Sequence, residues 1–344
     1  MQGARRDERR KLRTLPSAAV RRTARAGAPH DSAVRRVAVV VAAAALLVAV
    51  LLAAAGVGER AGALSNWQAL VLGIVQGLTE LLPISSSGHL ILVPWLFDWT
   101  YLEEHPDFNK TFDVALHLGT LVAVVVYFHR ELAALIVAWL RSVGRRRIET
   151  AEERLAWLVL VATIPAAVVG AAAQSFIEER LGEPWQIAVL LAVFAVVLWV
   201  ADRLPERLDL TGLTFWGALA TGIAQSAALA PGVSRAGVTI SIGRALGLDR
   251  DAAARLSFLL LVPVVFGASV LTGLQDLVFG ELPSGWAGPF VVGTIAAAVT
   301  GFAAIRALLG YVRRHDYSIF VVYRLLAAAA VLMLIVTGAR EATF

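Results

Sequence analysis

The sequence predicts an all-α polytopic integral membrane protein with an inverted-topology repeat: two broken, re-entrant helical segments, six transmembrane helices and one extra N-terminal transmembrane helix. Hydrophobic residues make up 58% of the 344 residues, against about 45–50% in ordinary soluble domains. Charged residues make up only 17%, against about 25%. The chain contains no cysteine, which excludes a disulfide scaffold, a thiolate metal centre and a cysteine nucleophile.

The basic charge of the chain is concentrated in residues 1–36, which hold eleven Lys/Arg and three Asp/Glu. This stretch is rich in Arg, Ala and Ser without an apolar period, so we expect a disordered cytoplasmic tail. A membrane-proximal retention tail is favoured over a nucleic-acid-binding arm, because no aromatic residues lie among the arginines. Since the chain carries +5 in all, the remaining residues carry −3.

Residues 37–58 contain no charged side chain and are long enough to cross a membrane once, which takes about 20 residues. The alternative is a cleaved signal peptide, whose apolar core is usually about 7–15 residues long. The longer stretch here favours an uncleaved anchor.

Six further apolar stretches have spanning length: Thr111–Phe128, Leu155–Ala173, Trp185–Val200, Leu256–Gly273, Pro289–Leu309 and Ile319–Val336. Two other stretches, Trp67–Leu96 and Leu213–Ile242, are interrupted near their middle by Pro, Gly and Ser. Interrupted segments of this kind are typical of re-entrant helices whose irregular backbone is buried in protein or lines a cavity.

Arginine-rich loops alternate along the chain with loops that hold at most one Lys or Arg. The basic loops are predicted to be cytoplasmic; they are residues 128–151, 202–211, 243–255 and 313–314. The two broken segments then enter the membrane from opposite sides.

An offset of 149 residues aligns Gly73, Ile74, Gln76, Ser85 and Gly88 with Gly222, Ile223, Gln225, Ser234 and Gly237. Both copies lie on the broken segments, and each broken segment is followed by three spans. We therefore predict two inverted repeats, residues 65–210 and 211–338, which bring the two breaks together near the membrane midplane.

The first break concentrates polar side chains. Gln76 and Glu80 share one helical face, Pro83 ends that helix, and the turn Ser85-Ser86-Ser87-Gly88 leaves backbone N–H groups for an anion. His89 follows within the next helix. Each residue also has a structural reading: a helix cap for the serines, a protonated, hydrogen-bonded side chain for Glu80 and a packed imidazole for His89.

The second break, Pro231-Gly-Val-Ser234-Arg235-Ala-Gly237-Val-Thr239, has the same turn chemistry and one arginine. A guanidinium suits phosphate oxygens because it is always charged and planar. Arg235 could instead extend to the membrane surface. Ionisable groups at membrane depth are candidates for a functional site, and together these residues have the parts that phosphoryl transfer needs.

These motifs resemble the undecaprenyl-diphosphate phosphatase, or bacitracin-resistance protein, family. The signature regions are Gln76-Gly-Leu-Thr-Glu80, Pro83-Ile-Ser-Ser-Ser-Gly-His89 and Pro231-Gly-Val-Ser-Arg235-Ala-Gly-Val-Thr239. The resemblance extends from about Ser65 to Val336. It implies a multi-pass hydrolase of the bacterial plasma membrane that removes the terminal phosphate of undecaprenyl diphosphate. This reaction recycles the lipid carrier for peptidoglycan synthesis and confers bacitracin resistance.

The resemblance also implies site residues and a divalent cation, Mg²⁺ or Ca²⁺. The family's acidic-or-Gln and Glu positions fall on Gln76 and Glu80, the expected cation ligands, and its serine, histidine and arginine fall on Ser86, His89 and Arg235. Either Ser86 attacks the phosphorus with His89 or Glu80 as base, or His89 forms a phosphohistidine. The predicted phosphate-binding residues are Gln76, Ser85, Ser87, Gly88, Ser234, Arg235 and Thr239.

Three further points stay open at this level. Asp113 and His117, on the helix that starts the next span, form either a support for the site or a packed polar pair. A transporter or flippase of a phosphate-bearing lipid or ion is the alternative function, since carriers share inverted repeats. We expect the site to face the extracytoplasmic side, while the oligomeric state is undetermined and compatible with a homodimer.

Overall fold

The computed structural model describes residues 49–51, 53, 63–279 and 286–343. From residue 63 onward these residues form eleven α-helices and two short 3₁₀ helices, with no β-strand among them. The helices are α1 (Asn66–Leu81), α2 (Ser86–Phe97), α3 (Tyr101–Glu104), α4 (Pro106–Arg145), α5 (Ala151–Arg180), α6 (Pro184–Asp202), α7 (Phe215–Ser226), α8 (Arg235–Ala245), α9 (Arg250–Phe279), α10 (Ala287–Val312) and α11 (Ser318–Val336).

Within the described residues, six helices are long and apolar enough to cross a membrane, and they contain the six predicted spans: α4, α5, α6, α9, α10 and α11. The prediction of an all-α polytopic membrane protein is confirmed. The 40-residue α4 is kinked at Phe128, where φ is −100° and ψ is 15°. The predicted first span ends at this kink.

Both predicted interruptions are confirmed. α1 ends at Leu81 and α2 begins at Ser86, whereas α7 ends at Ser226 and α8 begins at Arg235 after a short 3₁₀ turn. These four helices have 11 to 16 residues, fewer than the roughly 20 needed to span. Each broken segment is therefore two half-helices joined by irregular backbone.

The residues that cap the second half-helices adopt the same unusual backbone conformation. Ser85 has φ of 79° and Ser234 has φ of 75°, in a region that glycine occupies without strain and other residues rarely adopt. Ser85 Oγ accepts a hydrogen bond from Gly88 N at 3.4 Å, and Ser234 Oγ accepts one from Gly237 N at 3.0 Å. The two turns thus share their capping geometry at positions that the repeat alignment equates.

Small residues let each first half-helix pack closely on a spanning helix. A Cβ atom built on Gly73 of α1 would lie 2.3 Å from the carbonyl oxygen of Gly293 in α10, and one on Gly222 of α7 would lie 2.4 Å from that of Ala162 in α5. In both cases the partner is the second span of the other predicted unit. This packing is consistent with the inverted repeat, which stays a prediction together with the boundaries at residues 65–210 and 211–338.

The predicted tail, residues 1–36, lies outside the described residues, as does most of the predicted anchor, residues 37–58. The described part of the anchor includes helical Ala49 and Ala53. Both belong to one apolar cluster with Leu70 of α1 and Val292 and Ala296 of α10.

Candidate active site

The Glu80 carboxylate, near the end of α1, is the meeting point of the two breaks. Its Oε1 accepts hydrogen bonds from Arg235 Nε at 3.3 Å and Arg235 Nη2 at 3.0 Å. Its Oε2 accepts hydrogen bonds from the Ser86 hydroxyl and from Gln76 Nε2 at 3.4 Å, and lies 3.5 Å from His117 Nε2. The predicted proximity of Arg235 to Glu80 and to the serine-rich turn is confirmed.

The ion pair between Glu80 and Arg235 is buried, with 6% and 11% of the two side chains exposed. Nη1 of Arg235 also donates to the Ser257 carbonyl oxygen of α9 at 2.8 Å. A guanidinium has five N–H donors, so these contacts leave one N–H on each terminal nitrogen for another acceptor. The Glu80 carboxylate and the Ser257 carbonyl oxygen therefore orient the guanidinium and leave two of its N–H groups free to bind a ligand.

His89 contacts a different set of groups. Its Nδ1 lies 2.6 Å from the Ser85 carbonyl oxygen and its Nε2 lies 2.7 Å from the Tyr323 hydroxyl. Because a carbonyl oxygen only accepts, Nδ1 carries the proton, and Nε2 of the neutral ring accepts from Tyr323. Neither nitrogen is hydrogen-bonded to Glu80 or Ser86, so the structure does not bring His89 into the carboxylate cluster.

Three of the predicted phosphate ligands use their hydroxyl groups in hydrogen bonds to the turns or to their own helix. Ser85 Oγ accepts from Gly232 N at 3.1 Å in addition to its own cap, which joins the two breaks directly. Ser234 Oγ caps α8, and Thr239 Oγ1 donates to the Arg235 carbonyl oxygen at 2.7 Å. Their binding of phosphate stays a prediction.

Backbone N–H groups are available at the start of both second half-helices. Those of Ser86 and Ser87 in α2, and of Arg235 in α8, donate to no other group within residues 63–279 and 286–343. Free N–H groups at a helix start favour an anion. The predicted donor Gly88 differs, because its N–H is directed to Ser85 Oγ.

The oxygen atoms of Gln76 and Glu80 fit a divalent cation shared with a phosphate. Gln76 Oε1 is buried without a hydrogen-bond partner, beside the Glu80 carboxylate. Mg²⁺ is commonly held by one or two carboxylates together with substrate phosphate oxygens. The described part of the chain contains no cluster of three or more His, Asp or Glu that would hold a metal by itself.

Tyr323 and Arg324 of α11 both reach the first break and are not among the residues predicted from the sequence. Arg324 could have been selected from the sequence, since it is a charged residue in the middle of the last apolar span. His117 was noted with Asp113. Its Nδ1 bonds the Asp113 carbonyl oxygen at 2.7 Å while its Nε2 faces Glu80, so His117 supports the site.

The fold and the site define a polytopic membrane protein in which two helix breaks enclose a buried cluster of Glu, Ser and Arg. Residues 69–330 match the sequence model of the family described as bacitracin resistance protein BacA. The chain belongs to this family, which confirms the resemblance seen in the motifs.

The chain is similar over most of its length to proteins named undecaprenyl-diphosphatase. The protein of Desulforudis audaxviator (strain MP104C) is 45% identical over 79% of this chain and 98% of its own length. That of Thermomicrobium roseum (strain ATCC 27502 / DSM 5159 / P-2) is 45% identical over 80% and 99%. That of Nocardioides sp. (strain ATCC BAA-499 / JS614) is 42% identical over 79% and 97%.

Proposed function

We propose that this protein is an undecaprenyl-diphosphatase, a membrane hydrolase that converts undecaprenyl diphosphate to undecaprenyl phosphate and inorganic phosphate. The reaction recycles the lipid carrier for peptidoglycan synthesis, and removal of the diphosphate confers bacitracin resistance. The observation that carries the proposal is the Ser86 hydroxyl hydrogen-bonded to a carboxylate that also orients Arg235. Family membership and the similarity to proteins of that name support it.

Ser86 is the nucleophile and Glu80 is its base in this proposal. Ser86 Oγ attacks the terminal phosphorus, its proton passes to Glu80, and the bond to the bridging oxygen breaks to release undecaprenyl phosphate. Water then attacks the phosphoserine and the bond between phosphorus and Ser86 Oγ breaks. Ser86 Oγ takes the proton back from Glu80, and both protons of water leave with the inorganic phosphate as H2PO4⁻, which exchanges protons with the solvent. The hydrogen bond from Ser86 to Glu80 supports this assignment.

Arg235 and the free N–H groups of Ser86 and Ser87 hold the terminal phosphate. The two unused guanidinium N–H groups bind phosphate oxygens, and positive charge there stabilises the charge that develops during transfer. Gln76 and Glu80 would hold a Mg²⁺ or Ca²⁺ ion, which supplies further positive charge to the diphosphate oxygens when bound.

His89 positions the turn that carries Ser86. Its Nδ1–H bonds the carbonyl oxygen of Ser85, the residue with a strained φ immediately before the nucleophile. Held there, His89 fixes the Ser85 peptide and thereby the direction of the Ser86 side chain. In this proposal His89 is therefore a positioning residue, and it is neither the base nor the residue that carries the phosphate.

Purified protein in detergent, supplied with a prenyl diphosphate, tests the function. We expect phosphate release that requires a divalent cation, is abolished by EDTA and is lost in Glu80→Gln. Binding of the prenyl diphosphate without any release of phosphate would contradict the hydrolase and favour the transporter.

The predicted extracytoplasmic side of the site is part of the proposal, supported by the charge asymmetry of the loops. Because the chain has no cysteine, single cysteines at exposed Glu103 and Glu149 report the two sides. An impermeant maleimide should label Glu103→Cys and not Glu149→Cys in intact cells; the reverse pattern would contradict the orientation. The homodimer stays a prediction, tested by light scattering of the purified protein.

A further inference from the structure

Arg324 lies in the middle of α11 and is completely buried, with 0% of its side chain exposed. Every hydrogen bond of its guanidinium goes to a main-chain carbonyl oxygen. The acceptors are Leu191 at 3.1 Å for Nε, Pro83 and Val233 at 3.2 Å for Nη1, and Gly232 at 2.8 Å, Val233 at 3.2 Å and Leu190 at 3.4 Å for Nη2.

These acceptors connect both breaks to a single side chain. Pro83 belongs to the first break, and Gly232 and Val233 belong to the second. Carbonyl groups in such irregular backbone have no helical N–H partner, and leaving them unpaired while buried is costly. The planar fork of one arginine pairs them and sets the separation of the two breaks.

The bonded carbonyls lie close in sequence to the reacting groups. Pro83 precedes Ser86 by three residues, and Val233 precedes Arg235 by two. A change at Arg324 would therefore shift the nucleophile relative to the phosphate-binding arginine. Displacements of about 1 Å in such pairs cost roughly a hundredfold in rate.

The positive charge of Arg324 also acts on the region between the two breaks. Arg235 is paired with Glu80, whereas no carboxylate is among the hydrogen-bond partners of Arg324 within the described ranges. The guanidinium thus adds an uncompensated positive charge beside both breaks, where a diphosphate group is attracted to it.

We infer that Arg324 is a positioning residue that holds the two breaks in register for phosphoryl transfer. The inference rests on the proposed function. Among the residues that the structure describes, the Arg324 guanidinium is hydrogen-bonded to backbone carbonyl oxygens only, so it acts on the geometry through Ser86 and Arg235, while its charge acts on the diphosphate from a distance.

Arg244 of α8 provides a matched control. It is also buried, with 1% of its side chain exposed, and donates to the carbonyl oxygens of Leu204 at 2.7 Å and Leu248 at 2.5 Å. Unlike Arg324, it pairs with a carboxylate, that of Asp202 at 3.3 Å. It bonds neither break.

The kinetic test compares Arg324→Lys with Arg244→Lys by phosphate release from a prenyl diphosphate, per mole of monodisperse protein. We expect Arg324→Lys to lower kcat about 30-fold or more with KM changed less than about threefold, because lysine keeps the charge and loses the fork. Arg244→Lys should keep kcat within about twofold of the unsubstituted protein. Equal losses in both variants, or no loss in Arg324→Lys, would overturn the inference.

A distance measurement tests the same inference without activity. Since the chain has no cysteine, spin labels on Leu82→Cys and Ala227→Cys report the separation of the breaks by EPR. We expect the distance distribution to broaden or shift with Arg324→Lys and to stay unchanged with Arg244→Lys. An unchanged distribution in both would overturn the inference.

A milder variant covers the case in which Arg324→Lys does not fold. A Cβ atom on Gly237 would lie 3.0 Å from Arg324 Nη1 and 3.1 Å from Ser234 Cβ, so Gly237→Ala crowds the guanidinium against the second break without removing it. It should lower kcat and alter the distance distribution in the same direction; unchanged values of both would contradict the inference. Absence of phosphate release from the unsubstituted protein would instead contradict the proposed function, and the EPR comparison would still test Arg324.

Discussion

Glu80 and Arg235 are separated by 155 residues and share a buried ion pair, in which Nε and Nη2 of the arginine approach one carboxylate oxygen at 3.3 and 3.0 Å. The second carboxylate oxygen accepts the Ser86 hydroxyl. One side chain therefore contacts the proposed nucleophile with one oxygen and the proposed phosphate ligand with the other. This division of its two oxygens places the proposed nucleophile and the proposed phosphate ligand on either side of one carboxylate.

Ser86→Ala should lower phosphate release by about a thousandfold or more, because the acceptor oxygen of the transfer is removed. Ser226→Ala is the control, because the Ser226 hydroxyl of α7 bonds only its own helix. This variant should leave the rate of phosphate release unchanged. In a quenched reaction the phosphate should be stable to acid, as on serine. Acid-labile phosphate on His89 would contradict the serine nucleophile.

Arg235→Lys should lower kcat/KM by roughly a hundredfold, and Arg235→Ala by more. A lysine amine is a point charge that cannot hold Glu80, the Ser257 carbonyl and a phosphate as a planar fork does. Arg154→Lys is the control, because Arg154 also donates to main-chain carbonyls, at Thr211 and Leu213, on the protein surface. Full activity in both Arg235 variants would remove the phosphate-binding role.

His89→Asn should retain part of the activity, whereas His89→Gln and His89→Ala should retain little. The Asn amide reaches the place of Nδ1 and can donate to the Ser85 carbonyl oxygen, but it offers neither a nucleophile nor a base. Tyr323→Phe, which removes the partner of Nε2, should cost only several-fold. Equal and complete loss of phosphate release in His89→Asn and His89→Ala would favour direct participation of the ring.

Gln76→Ala should raise the Mg²⁺ concentration needed for half-maximal activity, and Gln76→Glu should lower it, because a carboxylate is the stronger ligand for a hard cation. The control is Gln225→Ala, at the repeat-related position in α7, whose buried amide also lacks a hydrogen-bond partner. Titration of phosphate release with Mg²⁺ measures the effect. The same half-maximal concentration in all four proteins would contradict a cation at Gln76.

Gly73→Ala should destabilise the fold by about 1–3 kcal/mol, because its Cβ atom would overlap the Gly293 carbonyl oxygen of α10. Gly170→Ala is the control in α5, where the nearest atom to a new Cβ, Leu229 Cδ2, lies 3.9 Å away. The apparent unfolding temperature in detergent should fall for Gly73→Ala alone. Equal unfolding temperatures for the two variants would show that the contact between α1 and α10 accommodates a methyl group without loss of stability.

Much of the fold could be predicted because hydropathy and helix breaking act locally. A stretch such as Ile319–Val336 is stable only in lipid or protein. Pro83 and Pro231 lie among Gly and Ser residues that together end a helix, whereas the isolated Pro94, Pro165 and Pro263 lie inside helices. The polar residues near the breaks, Glu80, Ser86 and Arg235, could be chosen for the same reason, since ionisable groups in apolar segments are costly.

The tertiary structure decided which of these polar groups meet. Hydrogen bonds depend on distances of about 3 Å, and sequence spacing does not determine such distances between helices. Only the packed helices place His117 beside Glu80, direct His89 to Tyr323, and bring the carbonyls of both breaks to Arg324. The sequence by itself determined where the chain crosses the membrane and where it breaks, whereas the approach of distant helices determined the partners of each side chain at those breaks.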